Sequence, residues 1–221
     1  MLTAFSIFAS ELKNKYQNYS CMKKFIVAAL LLAFPLVASA QNRVEVSYES
    51  PDSIPDVTRE LMAFLDVYYL KTTVHGDIKG KKWILWANEV NEGKVTSKPL
   101  FPYTFEFADT TATFTFIAQP VGKDSVRISC NTPRYGGRGN KYVIDPGKDT
   151  PYGIPYILME TFPEKPYTIP GEINLAAYTS GIAKSETSYD FCGLRFANTD
   201  PKMWQEKHKV PRFVYFSLRM E

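Results

Sequence analysis

Two histidines, three cysteines and scattered carboxylates carry whatever catalytic or metal chemistry this 221-residue sequence holds. His75 and His208 lie far apart, and neither has a partner at ligand spacing. The sequence contains no H-E-x-x-H, no C-x-x-C and no His/Cys cluster, which argues against a zinc or copper site. His75 precedes Gly76 and reads as a turn residue. His208, flanked by Lys207 and Lys209, reads as a solvated helix end. A Ser-His-Asp or Cys-His hydrolase would have to use one of these two, and no G-x-S-x-G elbow occurs. Paired carboxylates are the remaining acid–base option, because glycoside hydrolysis needs two of them flanking one bond. Glu160, Glu164, Asp190 and Asp200 are candidates, and an envelope or glycan hydrolase is therefore the alternative to a binding role. No cofactor fingerprint is present.

The binding candidates are more concentrated. Arg134-Tyr135-Gly136-Gly137-Arg138-Gly139-Asn140-Lys141 sets three glycines beside three bases, so backbone N–H groups and side chains could hold an anion there. It fits neither the P-loop nor the dinucleotide pattern, since both need a helix behind the glycines and here a strand follows. Read structurally, the same run is a surface hairpin loop. Tyr135, Tyr152, Tyr156 and Tyr167 lie in or beside Pro/Gly-rich loops, where tyrosines stack on sugar rings, anchor partners or staple the loops over a sheet end.

The address of the protein comes from its first 40 residues. Met22-Lys23-Lys24 is a basic n-region, Phe25 to Val37 an apolar h-region, and Ala38-Ser39-Ala40 a small-residue cleavage site. Residues 22–40 thus read as a signal peptide, with cleavage after Ala40 and Gln41 as the new start. Residues 1–21 read as an upstream gene-model extension. Cys21 precedes the h-region, so the product is not a lipoprotein. A periplasmic or secreted location follows, and the apolar run is shorter than the ~20 residues of a membrane span. All of the formal +3 charge sits in residues 1–40, as Lys13, Lys15, Lys23 and Lys24 against Glu11. Residues 41–221 balance 22 bases against 22 acids, so nucleic acid is not expected as a partner. Of the cysteines, Cys130 and Cys192 remain, an even number that predicts one disulfide in an oxidising compartment.

These residues need elements to position them. Ser53 and Asp56 form a capping-box arrangement, with Pro55 in the first turn. Val57, Leu61, Phe64, Leu65 and Tyr68 then recur on one face, predicting a core-facing helix over 54–68. Beyond it the chain reads as strands at 69–74, 82–87, 104–108, 112–118, 126–130, 141–145, 154–160, 189–197 and 212–219. His75–Gly80 reads as the turn of a hairpin joining the first two. The run Trp83–Ala87 is apolar on both faces and predicts a central strand. Seven prolines between 133 and 171 confine that stretch to loops and short strands. Asp200-Pro201 marks a short C-terminal helix ending near His208. The fold class expected is mainly β (α+β): an antiparallel β-sandwich or barrel-like sheet with one N-terminal packed helix, over a single domain 41–221. An outer-membrane barrel is disfavoured by strands of five to seven residues, where ~9–11 are needed.

In leader, length and Tyr/Pro-rich strand pattern, residues 41–221 resemble the small exported domains of unknown function of Gram-negative bacteria. That resemblance implies export and brings no site residue with it. Lipocalins are similar in size, but Gly80-Lys81-Lys82-Trp83 is one residue longer than their G-x-W and here the helix comes first. The sequence thus predicts a non-catalytic module at the cell envelope that binds a glycan, small molecule or envelope protein. It predicts no cofactor and no transmembrane helix after signal removal.

Overall fold

Alternation along the strand β6 (Thr111–Pro120) shows how the core is built. Ala112, Phe114, Phe116 and Ala118 are buried, while Thr113, Thr115 and Ile117 between them are only half-buried. A sheet with that pattern must cover its apolar face with another. A computed structural model describes residues 43–221 apart from 51–52, 133–134, 138, 145–153, 162–166, 186 and 197–198.

Two six-stranded antiparallel sheets face each other. Sheet A has the order β10 (Tyr167–Thr168), β1 (Arg43–Tyr48), β2 (Tyr68–Gly76), β6, β7 (Ser125–Asn131), β8 (Asn140–Val143). Sheet B runs β4 (Lys94–Pro99), β3 (Lys82–Asn91), β14 (Arg212–Met220), β11 (Gly171–Ser180), β9 (Tyr156–Met159), with β5 (Phe105–Glu106) also pairing β3. A small hairpin of β12 (Ile182–Ser185) and β13 (Ser188–Asp190) stands apart. The antiparallel β-sandwich with a few short helices agrees with the predicted class.

Between the sheets lies the larger core, including Val74, Leu85, Phe114, Phe116, Ile128, Phe216 and Leu218. β14 has apolar residues on both faces. Val214, Phe216 and Leu218 enter that core, while Phe213 and Tyr215 enter a second one on the far side of sheet B. The second core is closed by Leu194 of α2 (Phe191–Arg195) and Trp204 of α3 (Trp204–His208), the latter preceded by a 3-10 turn at Pro201–Met203. Sheet B is therefore the middle layer, and sheet A keeps a polar outer face.

β11 carries a bulge between Asn174 and Ala176. Leu175 and Ala176 both point into the large core and are fully buried. Two consecutive inward residues break the ladder, as a bulge does. The buried Thr72 hydroxyl of sheet A donates to the Leu175 carbonyl at 3.3 Å, a hydrogen bond across the sandwich.

Several expectations are corrected. The first helix, α1, spans Asp56–Phe64, with Pro55 at the N-cap and no side-chain cap; Ser53 Oγ instead donates to the Ser50 carbonyl. Its apolar face is exposed, with Phe64 at 83% and Val57 at 77%. The reason is topological. β1 and β2 pair directly, so α1 lies in the connection beyond their ends while strand side chains fill the interior. β2 and β3 do not form a hairpin: β2 pairs β1 and β6, and β3 lies in the other sheet. Residues 191–195 are helical, not extended, because the Asp190 carboxylate accepts from Gly193 N–H at 2.6 Å and starts α2. A Cβ on Gly193 would sit 2.5 Å from that carboxylate, so the cap needs glycine there.

Cys130 and Cys192 are not bonded. Cys130 is buried on the core side of sheet A, whereas Cys192 is exposed on α2 in the layer beyond sheet B. Sheet B stands between them. Burial also pushes the Cys130 thiol far above its ordinary range.

Candidate functional site

The bulge that turns Leu175 and Ala176 inward leaves Glu172 and Asn174 on the outer face of sheet B. There they meet Thr161 just beyond β9, Arg195 at the end of α2, and the 3-10 turn and α3. Together these enclose a cavity of about 180 Å³, which Tyr167, Asp200 and Trp204 also line. Trp204 is held in place because its indole N–H donates to the Thr199 carbonyl at 2.9 Å. The Asp200 carboxylate accepts from Lys202 N–H at 2.9 Å and so fixes the start of the 3-10 turn.

Four of the lining side chains present a solvent-shielded polar atom with no hydrogen-bond partner among the described residues: Thr161 Oγ1, Glu172 Oε1, Asn174 Oδ1 and Arg195 Nε. Thr161 is 5% exposed. Such an atom costs about 1–3 kcal/mol when left unpaired, so four around one cavity is a marked concentration. Two are acceptors, one a donor, and the hydroxyl can be either.

Two of the three charged side chains lining the cavity, Glu172 and Arg195, are ion-paired. Glu172 Oε2 lies 3.3 Å from Lys202 Nζ and 3.4 Å from Arg219 Nε. Arg219 in turn covers the Trp86 ring at 4.2 Å from its centroid. Burial alone would push the Glu172 carboxyl up. The Ser217 hydroxyl and the charges of Lys202 and Arg219 outweigh burial and hold it below the ordinary carboxylate range. Arg195 is paired through its Nη2, 3.1 Å from Glu160 Oε2. The Tyr215 hydroxyl, behind the cavity, is pushed up by burial and then by the negative charges of Asp200 and Glu172.

On the other side of Arg195 lies a second cavity, of about 200 Å³, lined by Tyr48, Glu49, Tyr69, Lys71 and Glu160 among others. Its charges are also matched, Lys71 Nζ standing 3.3 Å from Glu49 Oε2. The Tyr69 hydroxyl donates to the same carboxylate at 3.4 Å.

The structure disperses the binding residues expected from the sequence. Tyr167 reaches the first cavity. Tyr156 is buried, donates its hydroxyl to the Arg212 carbonyl at 2.8 Å and stacks on Tyr178, so it is a packing residue. Tyr135 is half-exposed on the glycine loop and packs its ring on Phe105 at 5.0 Å. Lys141 is exposed on β8, opposite Arg127 of β7. Arg134, Arg138 and Tyr152 lie outside the described residues. Among the candidate carboxylates, Asp200 lines the first cavity and Glu160 the second, Asp190 caps α2 and pairs with Lys184 at 3.5 Å, and Glu164 lies outside the described residues.

Glu172 and Asn174 escaped the sequence reading because β11 itself did, whereas Thr161 falls just past the predicted strand 154–160 and Arg195 in a helix read as a strand. The available signal was Glu172-Ile173-Asn174-Leu175, a polar–apolar alternation directly after the Pro170-Gly171 turn. Among the described residues, no group of three or more His, Cys, Asp or Glu side chains is arranged to hold a metal ion, and no helix is long and apolar enough to cross a membrane. Comparison with family models, curated proteins and solved structures finds no match to this chain.

Proposed function

We propose that this protein is a non-catalytic binding module of the cell envelope, exported by its leader, that holds a small, neutral, hydroxyl-rich ligand in the Glu172/Asn174 cavity. The observation that carries this reading is the convergence of four shielded, unpartnered polar atoms on one cavity. Hydroxyl groups suit that set, since each donates to Glu172 Oε1 or Asn174 Oδ1 and accepts from Arg195 Nε. Neutrality follows from the ion pairs of Glu172 and Arg195, which satisfy both charges, while the Asp200 carboxylate is engaged by the Lys202 backbone N–H. The volume lies below the roughly 300–1,000 Å³ of drug-sized pockets, which suits one sugar-sized unit.

The test is titration with neutral monosaccharides, followed by ligand-observed NMR. Binding weakened about tenfold or more by Asn174→Ala and by Thr161→Val supports the reading, each change removing one hydrogen bond worth ~1–1.5 kcal/mol. Binding indifferent to both changes sinks it. Glycan hydrolysis is the second reading, favoured by two carboxylates, Glu172 and Asp200, lining one cavity. Glycoside cleavage requires one protonated carboxyl. Glu172, held below the ordinary range, suits only the base or nucleophile role. Release of reducing ends from a neutral glycan, lost in Glu172→Gln, would favour this reading.

A further inference from the structure

The two cavities meet at one residue. Arg195 lines both, with its Nη2 bound to Glu160 of the second and its shielded Nε without a partner among the described residues. A second link lies beside it: the Tyr48 hydroxyl of the second cavity donates at 2.9 Å to the carbonyl of Thr161, a residue that lines the first. We infer that the cavities are adjoining subsites for one chain-like ligand, a neutral oligosaccharide of at least two units held on either side of Arg195. This rests on the binding reading above and extends it from one unit to a chain.

Three observations support it. The volumes, about 180 and about 200 Å³, are alike, and each is suited to a single ring. Repeating units need repeating subsites, and one large cavity would have suited a compact ligand instead. The charge logic also repeats. Glu49–Lys71 and Glu160–Arg195 neutralise the second cavity as Glu172 with Lys202 and Arg219 neutralises the first. In both, ion-paired side chains favour a neutral unit over a charged one. Finally, both combine aromatic surface with polar groups, Tyr48 and Tyr69 in one, Tyr167 and Trp204 in the other. Sugar rings use both, the C–H face on the aromatic and the hydroxyls on the polar atoms.

The experiment compares mono-, di- and trisaccharides of neutral hexoses and N-acetylhexosamines on the full chain by calorimetry. At least one disaccharide is expected to bind ten- to a hundredfold tighter than its own monosaccharide, as a second tethered contact provides. Tyr69→Phe, which removes one hydroxyl and keeps the ring, and Lys71→Ala should each erase most of that advantage. Asn174→Ala should weaken both sugars. Equal affinities for mono- and disaccharide, with Asn174→Ala still weakening both, overturn the two-subsite inference and leave the single-site reading standing. No binding by any sugar in the panel overturns both. A native-like unfolding midpoint for each variant keeps a folding defect from passing as a lost contact.

Discussion

Glu172 shows how much one side chain can be asked to do. Its Oε2 settles two cations, while its Oε1 faces the cavity. Because its folded pKa lies below the unfolded value, ionised Glu172 contributes stability above the ordinary carboxylate range, and that contribution is lost as pH falls through the folded pKa. Urea midpoints measured across the acid range should therefore fall less steeply for Glu172→Gln than for the unaltered chain. Parallel curves would remove Glu172 from the acid response. The two thiols differ in the same local way. A maleimide should label Cys192 in the folded protein and reach Cys130 only after denaturation, without any reductant. A reductant requirement would restore the disulfide that the sequence suggested.

β11 carries the site, and its bulge is the device. The Thr72–Leu175 bond ties that bulge to the opposite sheet, so Thr72→Val should cost about 1–3 kcal/mol, read as a lowered urea midpoint. It should also loosen the placement of Glu172 and Asn174. α1 gives the contrasting case. Replacing Val57 and Phe64 by Ser should shift stability by only about 0.5 kcal/mol, whereas Phe116→Ala should cost about 3–5 kcal/mol.

Both elements show what was legible in the sequence. Period-two alternation of bulky residues gave β6, the turn before Val126 gave β7, and the two-sided apolar run gave β3 a place inside its sheet. β11 was hidden because Ala176-Ala177 carries little strand signal and the bulge breaks the alternation. α1 had a clear periodicity, which defines an apolar face without saying what covers it. The cavity was the least legible, since its walls come from β10, β11, α2, the 3-10 turn, α3 and Thr161 beyond β9, and only the fold brings these together.

At the scale of the whole molecule, sheet B serves two cores, and β14 contributes to both. Phe213 and Phe216 are both fully buried, on opposite faces of β14. Phe213→Ala and Phe216→Ala should therefore each cost about 3–5 kcal/mol and lower a single shared unfolding transition. Two separable transitions would mean that the outer layer of α2, α3 and the small hairpin folds independently. Such independence would leave the cavity wall able to open while the sandwich stayed intact.

The position of β14 has a consequence for biosynthesis. It is translated after every other strand of the two sheets, yet it lies between β3 and β11 and bonds to both along nearly its whole length. Until it emerges, the nascent chain holds two strands with no partner between them and two unfinished cores. Until β14 is made the sandwich stays open, with apolar strands for a holding chaperone to cover. An unfolded state of that duration is the form in which a polypeptide can be threaded through a narrow pore. A nascent chain arrested before Arg212–Met220 has emerged from the ribosome should be protease-sensitive, and one arrested after that strand has emerged should be resistant.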